Sequence, residues 1–158
     1  MSATKTAEEL YTGTVDLRSA RVGDQVGSLA FTVSSEMMAR NAWANDDYHP
    51  WYVEDSPYGG RIVSPVYLAA FDARLFYGYY AYPEGGSLFA KQEFEYLRPL
   101  LADVEYVMEG TLAEIYERKG RTFYRLAIVV RDGAGVEHLR MLKTIAWPVR
   151  ARAIQETP

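Results

Sequence analysis

The chain has 158 residues, with 17 basic and 21 acidic side chains, two histidines and no cysteine. A net charge of -4 provides no basic stripe for phosphates, which argues against nucleic acid, and the lack of cysteine removes disulfides, thiol nucleophiles and zinc–thiolate sites. No stretch approaches the ~18 uninterrupted apolar residues of a membrane span, and the N-terminus lacks a secretory apolar core, so a cytoplasmic protein is expected.

The length suits one domain with its own core. Boundaries are expected after a 1–20 N-terminal extension and before a flexible tail at 149–158, leaving residues 21–148 as the domain. "RVGDQVG" reads as a turn and "SLAFTV" as a short alternating strand. Ser34 or Ser35 then caps a short helix, "SEMMARNAWAND", with Glu36 at its positive end. Next comes "NDDYHPWYVED", in which four acids, a histidine and three aromatic rings occupy eleven residues. Such a segment is too charged for a buried element and too aromatic for an ordinary solvent loop.

Residues 64–82 read as a long buried helix. Ser64 is its N-cap, Pro65 sits where its missing N–H is harmless, and Val66, Ala69, Ala70, Ala73, Phe76 and Tyr77 recur at helical spacing. From Leu88 the period changes to two. "LFAKQEFEYL", "DVEYVMEGTLAEIYE", "TFYRLAIVV" and "EHLRMLKTIAWPV" are strands, joined by tight turns such as "RKGR" into an antiparallel meander. One apolar helix and several antiparallel strands make an α+β fold with the helix on one sheet face. The other face carries Glu, Lys and Arg, and its exposed edges call for a partner.

The loop, the following turn and the helix together resemble the MaoC-like hydratase/dehydratase family of the hotdog fold. Its motif, Asp-x-Asn-Pro-x-His, aligns with "DYHPWY", Asp47 to Tyr52, and "YGGRIVSP" aligns with the turn into the helix. "FEYLRPLLADVEY" is similar to the family's strand and following turn, so the resemblance spans residues 22–147. It implies a long central helix wrapped by an antiparallel sheet, an acyl thioester on CoA or a carrier protein as substrate, no cofactor, and a homodimer or a heterodimer with another hotdog subunit. The family's catalytic histidine falls on Tyr52, and the residue whose amide usually forms the oxyanion hole falls on Pro65, which has no N–H. Both departures are similar to the degenerate N-terminal or substrate-binding branch seen in partner subunits of hydroxyacyl-ACP dehydratases.

Hydration of an enoyl thioester needs an acid–base pair and donors for the enolate oxygen. Asp47, His49 and Tyr52 are the catalytic candidates. Asp47 could equally bind loop amides, His49 could be a solvated residue before Pro50, and Tyr52 a pocket wall. Trp51, Tyr58, Gly59, Gly60, Ser64, Tyr67 and Phe71 are the substrate-binding candidates. An amide beside Ser64 could take the oxyanion, and Tyr67, Phe71, Leu75 and Tyr79 share a face along which an acyl tail could lie, although core packing gives the same pattern. Lys91, Arg98, Arg118, Lys119 and Arg121 could steer a CoA phosphate or simply solvate turns. No metal site is expected from two distant histidines, and no G-x-S-x-G motif is present. The leading function is hydration or dehydration of an enoyl/3-hydroxyacyl thioester. The alternatives are a non-catalytic acyl-binding subunit, or a specialised dehydratase or cyclase of secondary metabolism acting on a bulky substrate.

Overall fold

The computed structural model describes residues 11–147. Five strands, β1 (Gln25–Thr32), β2 (Leu88–Tyr96), β3 (Glu105–Arg118), β4 (Arg121–Asp132) and β5 (Glu137–Trp147), form one antiparallel sheet in the order β1-β3-β4-β5-β2. The expected meander is β3-β4-β5. Lys119 (φ 51°) and Gly120 (φ 71°) make its first connection, the two-residue left-handed turn that matches strand twist. β2 lies beyond β5 and β1 beyond β3, so both are edges.

The helices are α1 (Ser35–Asn45), α2 (Pro50–Val53) and α3 (Asp72–Tyr79). Ser34 caps α1, its hydroxyl accepting from Met37 N at 3.1 Å. Ser35 instead bonds through its amide and hydroxyl to Asp103, which fixes the start of α1 to the β2–β3 connection. The single helix expected over 64–82 is realised differently. A 3-10 turn, Tyr67–Ala70, precedes the eight-residue α3, and Tyr80 is already extended. Ser64 is not a side-chain cap, and Val66, expected inside, is 69% exposed. Tertiary pairing ends the helix: Gly13 N donates to Tyr77 O at 2.8 Å and Ala81 N to Val15 O at 2.9 Å, tying the chain after α3 to residues 13–15.

Residues 11–20 pack against this end of the fold. Leu17 is buried, and Tyr11 stacks on Tyr82 with centroids 5.4 Å apart. The expected tail at 149–158 lies outside the described residues.

The core sits between α3 and the inner sheet face, where Leu75, Phe76 and Tyr80 meet Met108, Leu112, Leu126, Ile128 and Ile145. Close approach is possible because Gly110 has no side chain. A Cβ there would lie 2.7 Å from Val26 Cγ2 and 2.8 Å from Leu75 Cδ2. Tyr80, fully buried, donates its hydroxyl to Asp24 Oδ2 at 2.7 Å, so the "RVGDQ" turn is held from within. On the outer face Arg125 bridges Glu114 (2.6 Å) and Glu93 (3.4 Å), and Arg131 bridges Glu109 (2.5 Å) and Glu137 (2.9 Å).

Gly110→Val is expected to destabilise the protein by about 2 kcal/mol, because the two contacting side chains must move apart. Gly133→Ala, at a site where a Cβ meets nothing within 4 Å, should stay within ~0.5 kcal/mol of the parent. Urea unfolding of both variants measures the difference.

Candidate functional site

The loop between α1 and α2 begins where Asp46 takes a left-handed conformation (φ 52°) as the α1 C-cap. Asp47 N then donates to Ala42 O at 3.0 Å, and the Asp47 carboxylate is left exposed at the mouth of the loop. His49 is the N-cap of α2. Its Nδ1 accepts from Trp51 N at 3.3 Å, which in the neutral imidazole puts the proton on Nε2. The His49 ring lies 5.3 Å from both Trp51 and Tyr52, and Trp51 meets Tyr58 edge-to-face at 5.7 Å. The rings of His49, Trp51, Tyr52 and Tyr58 thus meet, with Asp47 two residues before His49 on the same loop. Asp47 and His49 are exposed, while Trp51 and Tyr52 are half-buried.

The turn that follows is held by main-chain bonds. Ser56 N donates to Gly60 O at 2.9 Å, and Gly59, at φ 94°, donates its amide to Ser56 O at 3.2 Å, so that amide is already used. Ile62 N donates to Trp51 O at 2.8 Å, returning the chain under α2. Val63 N and Ala102 N make 2.8 Å bonds that lace this segment to the β2–β3 connection. Ser64 is buried, and its amide points at Met38 Sδ (3.3 Å), so it cannot serve an oxyanion. Past Pro65, the Val66 amide donates to no backbone carbonyl among the described residues.

Tyr67 and Phe71 have centroids 5.7 Å apart, but Phe71 is buried against Phe31 at 5.5 Å and Leu75 belongs to the core. Because the backbone switches from 3-10 to α winding between them, residues 67, 71, 75 and 79 do not form one open helical face. Core packing accounts for that spacing. Arg118, Lys119 and Arg121 gather with Phe123 around a shallow cavity at the far β3–β4 turn.

Sequence reasoning missed Tyr96. Its hydroxyl donates to Pro65 O, its ring stacks 6.0 Å from Phe94, and its phenol is within electrostatic reach of Tyr52. It also missed Asp72 and Lys143, which pair inside the fold. The signal was available: each is the one charge in an apolar run, "YLAAFD" and "LKTIAW". The second histidine is a strut, with His138 Nδ1 placed to donate to Pro99 O and Nε2 set against Asp132, both at 3.1 Å. No group of three His, Asp or Glu able to hold a metal, and no helix long and apolar enough to cross a membrane, is found among the described residues.

No family model and no curated protein matches the sequence. Solved structures do match. A MaoC-like dehydratase from Rhodospirillum rubrum superposes with a TM-score of 0.69 at 20% identity, over 88% of this chain and 100% of that one. The fold is the hotdog of the MaoC-like dehydratases. The HadBC (3R-hydroxyacyl-ACP dehydratase) complex from Mycobacterium tuberculosis gives 0.74 at 16% identity, over 83% of this chain and 100% of that one. An (R)-hydratase from A. caviae involved in PHA biosynthesis gives 0.68 at 18%, over 83% and 99%.

Burial pushes the Tyr96 phenol up to about 12, with the neighbouring Tyr52 adding to the rise. Alkaline titration followed by ultraviolet absorbance should therefore show a late-ionising class of tyrosines, and Tyr96→Phe should remove one phenol from it.

Proposed function

We propose that this chain is a hydratase/dehydratase acting on an enoyl or 3-hydroxyacyl thioester, carried by CoA or an acyl carrier protein. The observation that carries the reading is the grouping of Asp47, His49 and Tyr52 on one loop of a hotdog whose matching structures include dehydratases and hydratases. In the hydration direction Asp47 takes a proton from water as its oxygen adds to C3. The Tyr52 hydroxyl delivers a proton to C2, or His49 does so from its imidazolium form, in which Nδ1 no longer accepts from Trp51 N; solvent then carries the proton held by Asp47 back to the donor. The reference pKa of tyrosine, near 10, suits it to donating rather than accepting at neutral pH. The Val66 amide supports the enolate oxygen in place of the amide that Pro65 lacks.

A second reading is favoured by Tyr52 and Pro65 themselves: an acyl-binding subunit that completes a catalytic partner. The matching structures include the heteromeric HadBC and ChsH1-ChsH2 complexes of Mycobacterium tuberculosis. Both readings use a partner hotdog. Leu88 and Leu97 are exposed along and just past the β2 edge, and Trp43, Tyr48 and Tyr58 are exposed around the loop. Apolar surface of that kind, on an unpaired strand edge, suits another subunit.

Purified chain is expected to hydrate an enoyl thioester, read as loss of the conjugated absorbance. Asp47→Asn should lower turnover by about a hundredfold or more, the usual range for losing a general base. Thioester binding without turnover at any chain length would sink the enzyme and leave the binding subunit. Sedimentation should give twice the 17.9 kDa chain mass. Aspartates at Leu88 and Leu97 together should shift it to the monomer.

A further inference from the structure

A cleft of about 300 Å³ opens between α3 and the end of the sheet where β2 meets β5, with Tyr11, Tyr77, Tyr82, Phe89, Lys143 and Ile145 among its walls. Most of that wall is aromatic or aliphatic. Ser87 and Lys143 are the exceptions; Ser87 Oγ is already paired with the Tyr77 hydroxyl, and the Lys143 side chain is only 6% exposed. Its ammonium sits 4.8 Å from the centre of the Phe89 ring and donates to Asp72 Oδ1, the one hydrogen bond it makes among the described residues. An ammonium has three N–H donors, so donor capacity remains.

The groups behind Lys143 are also incompletely bonded. Asp72 is fully buried, and its Oδ2 has no hydrogen-bond partner. Gln92 stands opposite Lys143 in the β2–β5 register, and neither atom of its buried amide is bonded. Burial raises the Asp72 carboxyl above the ordinary carboxylate range, while Lys143 and Gln92 pull it back. Asp72 and Gln92 stand behind the cleft wall, Gln92 near enough to the Asp72 carboxyl to lower it, so the buried donor that faces a ligand in the cleft is Lys143 Nζ.

We propose that this cleft binds the far end of the acyl group, and that the end carries a neutral oxygen, a ring ketone or hydroxyl, which accepts from Lys143 Nζ. This inference rests on the thioester reading above. Neutrality follows from charge: Lys143 and Asp72 already cancel, so a buried carboxylate would add an uncompensated charge, whereas a carbonyl adds only an acceptor. A ring suits the walls, where the stacked Tyr11–Tyr82 pair and the Phe89 ring supply flat aromatic surface.

Position agrees. A bulge between Phe89 and Lys91 brings Phe89 onto the same face as Gln92, Phe94 and Tyr96, since all four oppose inward residues of β5. Gln92 is four residues from Tyr96, whose phenol is within electrostatic reach of Tyr52, so at ~3.3 Å per residue the Lys143 cluster lies about 13 Å along β2 from that tyrosine. A thioester reacting at that loop therefore needs a long or multi-ring tail to reach Lys143.

The test compares 1-tetralone with its hydrocarbon, tetralin, by titration calorimetry on the full chain. The ketone should bind roughly tenfold more tightly, the gain expected of one hydrogen bond to a charged donor. A ¹³C label on the tetralone carbonyl should move downfield on binding to wild-type protein. In the double variant Asp72→Leu/Lys143→Met, which replaces the pair by apolar side chains, the preference should vanish. Equal binding of the two compounds, an unmoved carbonyl signal, or a preference that survives in the double variant would each overturn the proposal. If the ketone preference is found but no thioester is bound or turned over, the thioester reading fails and the oxygen-binding cleft stands.

Discussion

For the core to close, α3 must approach β3 until Leu75 and Val26 meet over Gly110, and this contact fixes much else. The helix has only eight residues, so it cannot persist by propensity alone and exists because one side of it is buried. Its C-terminal end is set by residues 13–15, which take the carbonyls and amides that a longer helix would have used. Its N-terminal end is a 3-10 turn that leaves Val66 in solvent. From that seating follow the depth of the cleft beside Tyr77 and the distance between the sheet and the loop that carries Asp47.

The same seating buries Asp72 against Lys143. A buried ion pair is weak support for stability, because desolvation offsets most of the attraction, yet losing one partner leaves a charge stranded at a cost of about 3–5 kcal/mol. An apolar pair would hold α3 to β5 as well. The polar pair fits better with a requirement for polarity at that place, and it lies at one wall of a cleft whose other walls are rings. The interior of the hotdog is therefore not uniformly greasy.

The acid–aromatic loop is organised by main-chain hydrogen bonds more than by its charges. His49 caps α2, Ser56 and Gly60 close the turn, and Ile62 returns under Trp51. The rings gather on one side while the acids stay in water, so the segment is at once charged and aromatic. Tyr96, reaching from β2 to Pro65 O, joins that strand to the segment that leads into the 3-10 turn before α3.

Local sequence determined the elements whose signals are local. Ser34 with Glu36 placed α1, the switch to period two placed four strands, and Lys119-Gly120 placed a hairpin, because capping, pleat and turn sterics act over a few residues. The contact of His49 with Tyr52 is local in the same way, since they lie three residues apart. The extent of α3 was not legible, because it is cut by backbone bonds to residues more than sixty positions away. Nor was the β2 bulge that turns Phe89 inward, which arises from pairing with β5. Asp72 and Lys143 are seventy-one residues apart, and only the packed sheet and helix bring them together. Which side chains face one another across a core is decided by long-range pairing, and that information is spread over the whole chain rather than written at either residue.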